Sequence, residues 1–373
     1  MNKLATPLFR VHMPDEVFPA VQKTLAGGAI AAGAETARFE EGVAAFTGNP
    51  RTVAVRDISA ALTLALHAAG VRPDDEVVLS PMSCLATVMP IANLCARPVW
   101  CDIDPSTGMP TPAMMRERLT AKTRALLLFH WSGDVGDIKG LLALARANAM
   151  PLIEDASEAF GAELDEKRLG QHGVDFTAYS FGPVRHITCG EGAALCLDSN
   201  AKRDRIRRLR RYGIDAATFR LDNGDLNPAS DILEPGFHFG LDNLAASIGL
   251  AQWHWAERNV RAHRENGRFY DAFLKDIPGL HLLVRRQDAI SGYWTYAFRA
   301  ERRDELIRKL HDNGIGAQRL HLRLDHYSCF NSSTRETMPG VDVFDRENIA
   351  IPCGWWVTRA ERERIAGLIR GGW

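Results

Sequence analysis

Residues 51–80 read RTVAVRDISAALTLALHAAGVRPDDEVVLS. TVAV (52–55) and EVVLS (76–80) are short apolar runs rich in valine, while SAALTLALHAAG (59–70) sets its apolar residues three and four apart. A helical period between two such runs spells strand, helix, strand. The unit repeats: PVWCDID (98–104), RALLLF (124–129) and PLIED (151–155) are the next strands, with TVMPIANLCA (87–96) and IKGLLALARANA (138–149) as intervening helices. Alternation of this kind builds a mostly parallel sheet covered by helices on both faces. Ligands of such sheets gather at the carboxyl ends of the strands. FTAYSF (176–181) and GAALCLD (192–198) add two further strands.

Beyond residue 240 the pattern changes. LDNLAASIGLAQWHWAERNVRAHRENGRFYDAFLK (241–275) contains no proline and only Gly249 and Gly267, so it reads as one long connecting helix. It leads into WTYAFRA (294–300), ERRDELIRKLHDNGIGA (301–317) and TRAERERIAGLIR (358–370), the strand and covering helices of a small α/β domain. The expected division is 1–245 for the large domain and 246–373 for the small one. A chain of 373 residues suits two unequal domains.

Lys+Arg total 45 against Asp+Glu 46, a formal net charge of -1, so the chain lacks the basic surplus of a nucleic-acid binder. Its one basic run, RDRIRRLRRYG (203–213), reads as the solvated face of a helix. The seven cysteines show neither a C-x-x-C pair nor zinc-type spacing, so free thiols in a reducing cytosol are expected and a metal site is not. MNKLATPLFRVHMP (1–14) has no basic stretch followed by an apolar run. No segment reaches about 18 uninterrupted apolar residues. A soluble, cytoplasmic protein with no membrane contact is the expectation.

The most informative stretch is LIEDASEAFGAELDEKRLGQHGVDFTAYSFGPVRHITCGEGAALCL (152–197). It resembles the pattern IEDAAxAxGA…G…GDFxxxSFxxxKxxTxGEGG of the DegT/StrS family of pyridoxal-phosphate-dependent nucleotide-sugar aminotransferases. The resemblance continues through ARFEEGVAAFTG (37–48), GVRPDDEVVLSP (70–81), HWSGDVGD (130–137), FGLDNLAASIGLAQ (239–252) and IPCGWWVT (351–358). It implies an aspartate-aminotransferase-like, fold-type I architecture: a large domain on a mostly parallel seven-stranded sheet, with a small C-terminal α/β domain. It also implies a homodimer, pyridoxal phosphate or pyridoxamine phosphate as cofactor, and a nucleotide-linked keto-sugar as substrate. In that family an aspartate at a strand end keeps a proton on the pyridine nitrogen, which makes the ring an electron sink. Asp155 matches it, with a cap on the following turn as the alternative role. Ser59 and Ala60, opening the helix after TVAVRDI, and Ser180 match the phosphate ligands. For Ser59, simple N-capping uses the same geometry.

The departures are concentrated at the same site. The family's Schiff-base lysine corresponds to Arg185, and a guanidinium that titrates above about 12 cannot serve as a free amine. Ordinary transamination through this residue is therefore not expected. Ile58 replaces the glycine before Ser59 and crowds the approach of a phosphate. Cys84 replaces the aromatic that stacks on the pyridine in the family's TFVAT run. The family's YNYR, which reaches the phosphate from the neighbouring subunit, reads FHFG (237–240), so His238 takes the asparagine position and Gly240 the arginine position.

Three further positions carry polar groups. Glu158 stands where the family has Gln or His beside the ring, and reads either as an ion-pair partner of Arg185 or as a base. His186 follows the lysine position and, on extended backbone, faces the opposite side, so packing competes with a catalytic role. HLRLDHYSCF (321–330) resembles a subgroup run HLRNDRYSxF near the sugar-nucleotide site, broken by Leu324 and His326. His321, Arg323 and Asp325 match that run, and a surface turn is the alternative.

Three functional classes are consistent with these residues. The first, which is the expected one, is a lysine-free enzyme that uses pyridoxal or pyridoxamine phosphate on a nucleotide-linked keto-sugar, and Asp155, Ser59 and Ser180 favour it; the other two are alternatives. The second has abandoned the cofactor and uses Arg185 to bind an anionic substrate, with Glu158 or His186 as base. Cys84, His238 and Gly240 favour that one. The third is an inactive partner of an active aminotransferase, which would have no need of Asp155.

Overall fold

Seven strands form the central sheet of the computed structural model, which describes residues 4–330 and 337–373. Met1–Lys3, the start of the N-terminal segment read above, fall outside the described residues. In chain order the strands are β1 (Thr52–Val55), β2 (Glu76–Leu79), β3 (Arg97–Trp100), β4 (Thr123–Phe129) and β5 (Leu152–Asp155). A small hairpin of β6 (Glu163–Leu164) and β7 (Lys167–Arg168) precedes β8 (Phe176–Ser180) and β9 (Ala193–Leu197). The sheet order is β1-β9-β8-β5-β4-β2-β3, and its strands lie on the seven apolar runs expected. All pairings are parallel except those of β9, which runs against both β8 and β1. The reason is local: residues 181–192 form no helix, and a parallel return would need a crossover.

Helices cover both faces. They are α1 (Val17–Gly27), α2 (Ala34–Thr47), α3 (Ile58–Ala68), α4 (Leu85–Asn93), α5 (Pro112–Arg116), α6 (Ile138–Ala147) and α7 (Asn200–Leu209). Two apolar clusters fill the layers on either side of the sheet. α3 starts where Asp57 accepts the Ala60 N–H, and its Ala60–Leu66 run is buried throughout. α7 carries the basic run, but its arginines are ion-paired rather than simply solvated. Arg205 holds Glu234 with two contacts of 2.8 Å, and Arg207 and Arg210 both reach Glu40.

The long segment from residue 241 is two helices, α8 (Asn243–Leu250) and α9 (Trp253–Phe273), not the single one expected. Gln252, at the break, uses its amide on the Thr188 and Ile248 carbonyls at 2.8 and 3.0 Å and accepts the Thr188 N–H at 3.2 Å. α8 also packs so tightly that a Cβ on Gly249 would stand 2.5 Å from the Phe39 ring and 2.6 Å from Cys189 Sγ. Tertiary contacts thus fix the direction of α8, and the chain turns at Ala251–Gln252 to follow another.

α9 leads to a second sheet of β10 (Leu280–Leu282), β12 (Tyr296–Ala300) and β13 (Asn348–Ile351), all antiparallel. Between the first two, β11 (Ala289–Ile290) pairs with β6, tying this region to the large sheet's side of the molecule. α10 (Arg303–Asp312), α11 (Pro339–Glu347) and α12 (Arg359–Arg370) complete the region around a third apolar cluster. Thr358 and Glu361 form a capping box that starts α12. Among the described residues no helix is long and apolar enough to cross a membrane, and all seven cysteines are free.

Candidate active site

The carboxyl ends of β1, β2, β4, β5 and β8 converge on one crevice, the place where an α/β sheet binds ligands. Asp155 closes β5 there, 1% exposed. Its carboxylate accepts from Thr87 Oγ1 at 2.7 Å, from the Ser157 N–H at 3.0 Å and from the Ser157 hydroxyl. Burial pushes its pKa up, against these hydrogen bonds and the nearby Arg185 charge, which pull it down. The turn-capping role and the place at the strand end therefore coexist in one side chain. Cys84, at the N-cap of α4, lies in the field of Asp155, Glu158 and Arg185, so these four residues form one electrostatic group. Burial raises the Cys84 thiol, which stays a neutral SH rather than a thiolate.

Arg185 does not pair with Glu158. Its guanidinium lies 4.2 Å from the centre of the Trp294 ring, and its Nη1 is buried without a hydrogen-bond partner. Among the described residues it forms no ion pair. Trp294 is itself fixed, donating to the Val184 carbonyl at 2.7 Å and stacking on Phe9 at 5.0 Å. The cation is stabilised by the indole face and keeps one donor that no protein group satisfies, the chemistry with which a guanidinium binds an oxyanion.

Glu158 has other partners. It is fully buried, accepting the Ser132 N–H at 2.7 Å on one oxygen and meeting His321 Nε2 at 2.7 Å on the other. The ion-pair reading of Glu158 with Arg185 is thus corrected: position 158 lies on the Ser132 side of the crevice, and His321 reaches it first. The surface-turn alternative for residues 321–325 is corrected as well. Arg323 and Asp325 are 4% and 5% exposed at their side chains and bound to each other at 2.7 Å, with Asp342 also on Arg323. The Leu324 N–H donates to the Pro81 carbonyl at 3.0 Å, docking this loop on the end of β2.

His186 is placed elsewhere. Its ring packs against His263 with centroids 4.2 Å apart and planes tilted by 45°, and its Nε2 meets the Gly292 carbonyl at 3.3 Å. Burial and the neighbouring His263 hold its pKa well below the ordinary imidazole value. The expected strand alternation is not the reason, because residues 182–187 turn and bend after β8 and the Arg185 N–H closes on the Gly182 carbonyl; His186 is instead held on the far side by His263 and Gly292.

The phosphate end gathers around the start of α3. Ser59 and His238 line a cleft of about 1400 Å³ with Asp57 and Arg211. His238 stacks on Tyr212 at 5.1 Å. The cleft contains neither Asp155 nor Arg185, so the nominated residues divide into two neighbouring groups. Ser59 is not the N-cap. Asp57 is, accepting the Ala60 N–H at 2.7 Å while its other oxygen meets Arg56 at 3.1 Å. The Ser59 hydroxyl donates to the Ala86 carbonyl at 3.4 Å, and Ser180 accepts the Gly182 N–H at 3.2 Å.

These residues do not fit a phosphate-bearing pyridoxal. Of the two α3 positions matched to phosphate ligands, Ala60 has its N–H already bound by the Asp57 carboxylate, and that carboxylate would lie beside a dianion. Position 185 offers no amine, and Cys84 offers no ring to stack. Only the Asp155 end of the site retains the chemistry of a pyridine partner. Sequence reasoning missed Asp57, although an aspartate just before an apolar helical run is an N-cap signal. Trp294 and Thr87 carried no comparable signal.

A family model described as the DegT/DnrJ/EryC1/StrS aminotransferase family matches residues 12–370. Among solved structures, the sugar aminotransferase CalS13 from Micromonospora echinospora is 33% identical with a TM-score of 0.92, covering 98% of this chain and 100% of that one. AtS13 from Actinomadura melliaura is 34% identical with a TM-score of 0.93, over 100% of both chains. The aminotransferase TlmJ from Streptoalloteichus hindustanus is 27% identical with a TM-score of 0.88, over 98% of each.

Proposed function

The chain belongs to the DegT/DnrJ/EryC1/StrS aminotransferase family, and we propose that it is an enzyme of sugar or secondary-metabolite biosynthesis that works without pyridoxal phosphate. Arg185 holds an anionic group of the substrate, a phosphate or a carboxylate. The observation that carries this reading is the guanidinium stacked on Trp294 with a buried Nη1 left free, in the position where its relatives' pattern has an amine. A bound oxyanion would satisfy that donor with a charge-assisted hydrogen bond. The described chain is one protomer, and we place the complete site in a homodimer, with His238 of each protomer facing the other's crevice.

The competing reading is a lysine-free enzyme using pyridoxal or pyridoxamine phosphate on a nucleotide-linked keto-sugar. One observation favours it: Asp155 is buried at the strand end with a raised pKa. Two measurements separate the readings. On ours, the protein as purified has neither a visible nor a near-ultraviolet cofactor band and releases no pyridoxal or pyridoxamine phosphate on denaturation, and Arg185→Lys soaked in pyridoxal phosphate gains no borohydride-trapped band. Calorimetry with inorganic phosphate and with oxalate should find at least one of them bound, and Arg185→Gln should weaken it about tenfold or more, as expected for a charged hydrogen bond. A stoichiometric chromophore in the native protein, or a trapped cofactor on the introduced lysine, would return the cofactor-dependent reading.

A further inference from the structure

We propose that His321 is a general base of this site and that Glu158 is the residue that positions it. The imidazole comes from the loop after α10, and the carboxylate from the turn after β5. They meet at 2.7 Å between His321 Nε2 and Glu158 Oε1. The other oxygen of Glu158 is locked by the Ser132 N–H at 2.7 Å. Ser132 adopts a left-handed conformation, φ 57°, and its hydroxyl is held by Thr295 Oγ1 at 2.7 Å. Nothing in this chain of contacts leaves Glu158 free to rotate.

The ring of His321 is held as firmly. It meets Phe129 and Trp131 edge to face, at 5.6 and 5.2 Å. A carboxylate on Nε2 favours the tautomer with its proton there, which leaves the Nδ1 lone pair bare. Nδ1 has no hydrogen-bond partner among the described residues, and the His321 side chain keeps 15% of its surface exposed. A buried acid orienting an imidazole whose second nitrogen is open is the arrangement of a general base.

The step is a proton transfer. A C–H or O–H bond of the substrate breaks, an N–H bond forms at Nδ1, and the electron pair stays on the substrate as an anion. Glu158 offsets the imidazolium charge, and the proton returns to the product. This rests on the reading above only in taking Arg185 as the substrate's anchor.

Neither part of the test needs a ligand, so failure of anion binding at Arg185 is read separately. In the full chain labelled with ¹⁵N-histidine, long-range ¹H–¹⁵N spectra at neutral pH should show His321 protonated on Nε2 and bare on Nδ1. Diethylpyrocarbonate, which acylates the bare nitrogen, should modify His321, and Glu158→Gln should slow that modification about tenfold by releasing the tautomer. A proton on Nδ1 in the native protein overturns the proposal, whether or not the variant folds. Equal acylation rates in a folded Glu158→Gln variant overturn it as well.

Discussion

Asp57 shows how one side chain redirects a binding site. The first turn of a helix presents free N–H groups and the positive end of its dipole, which suits any anion. Here the chain supplies its own anion, and the Ala60 N–H is bound before any ligand arrives. Asp57→Ser should keep the cap, since serine serves nearly as well at this position. It should also remove the charge that opposes phosphate. We expect the affinity for inorganic phosphate at this end of the site to rise about fivefold, matching the roughly 1 kcal/mol scale of such terminal charges. Calorimetry showing no gain would mean that Ile58 rather than Asp57 closes the cradle. Arg185 differs from Asp57: no carboxylate bonds to it among the described residues, although Asp155 lies within its field, and its Nη1 is left without a partner.

At the scale of elements, the break between α8 and α9 is the clearest case of tertiary packing overriding local preference. The sequence from residue 241 to 275 has no proline, and its helical period runs through the break. Gly249 lets α8 lie directly on Phe39 and Cys189, and the contact sets its axis. Gly249→Ala gains helix propensity of about 1 kcal/mol in isolation. In the fold it drives a methyl group into two buried neighbours, so we expect a net loss of about 1–3 kcal/mol. Chemical denaturation should show a lower midpoint with an unchanged slope, and a midpoint that rises would mean the contact can relax.

Across the whole molecule, three separate segments meet at a pair of buried imidazoles. His186 lies in the connection between β8 and β9, His263 on α9, and the carbonyls of Gly292 and Tyr293 just before β12. Burial lowers His263 to about 4, and His186 moves in the same direction. Both are protonated more readily in the unfolded chain, where the ordinary value is about 6.5. The native state then binds fewer protons, so their contribution is complete above pH 6.5 and is lost as pH falls toward 4. At about 1.4 kcal/mol per pH unit, His263 alone removes roughly 3 kcal/mol across that window. Unfolding midpoints at pH 7 and pH 5 should differ clearly, and a flat profile would place a proton on the pair already in the native state.

The amino-acid order already held the seven strands of the central sheet, most of their covering helices and the place of Asp155 at a strand end. These follow from apolar period and chain order, which are local properties. It also determined that residue 185 cannot be a Schiff-base amine, because that is a matter of side-chain chemistry. Which groups face one another came from the packed fold alone. His321 and Glu158 are 163 positions apart, and Arg185 comes from the β8–β9 connection while Trp294 comes from the segment just before β12. No periodicity encodes such a meeting, since it depends on how separately formed layers pack and which polar atoms are left to satisfy one another.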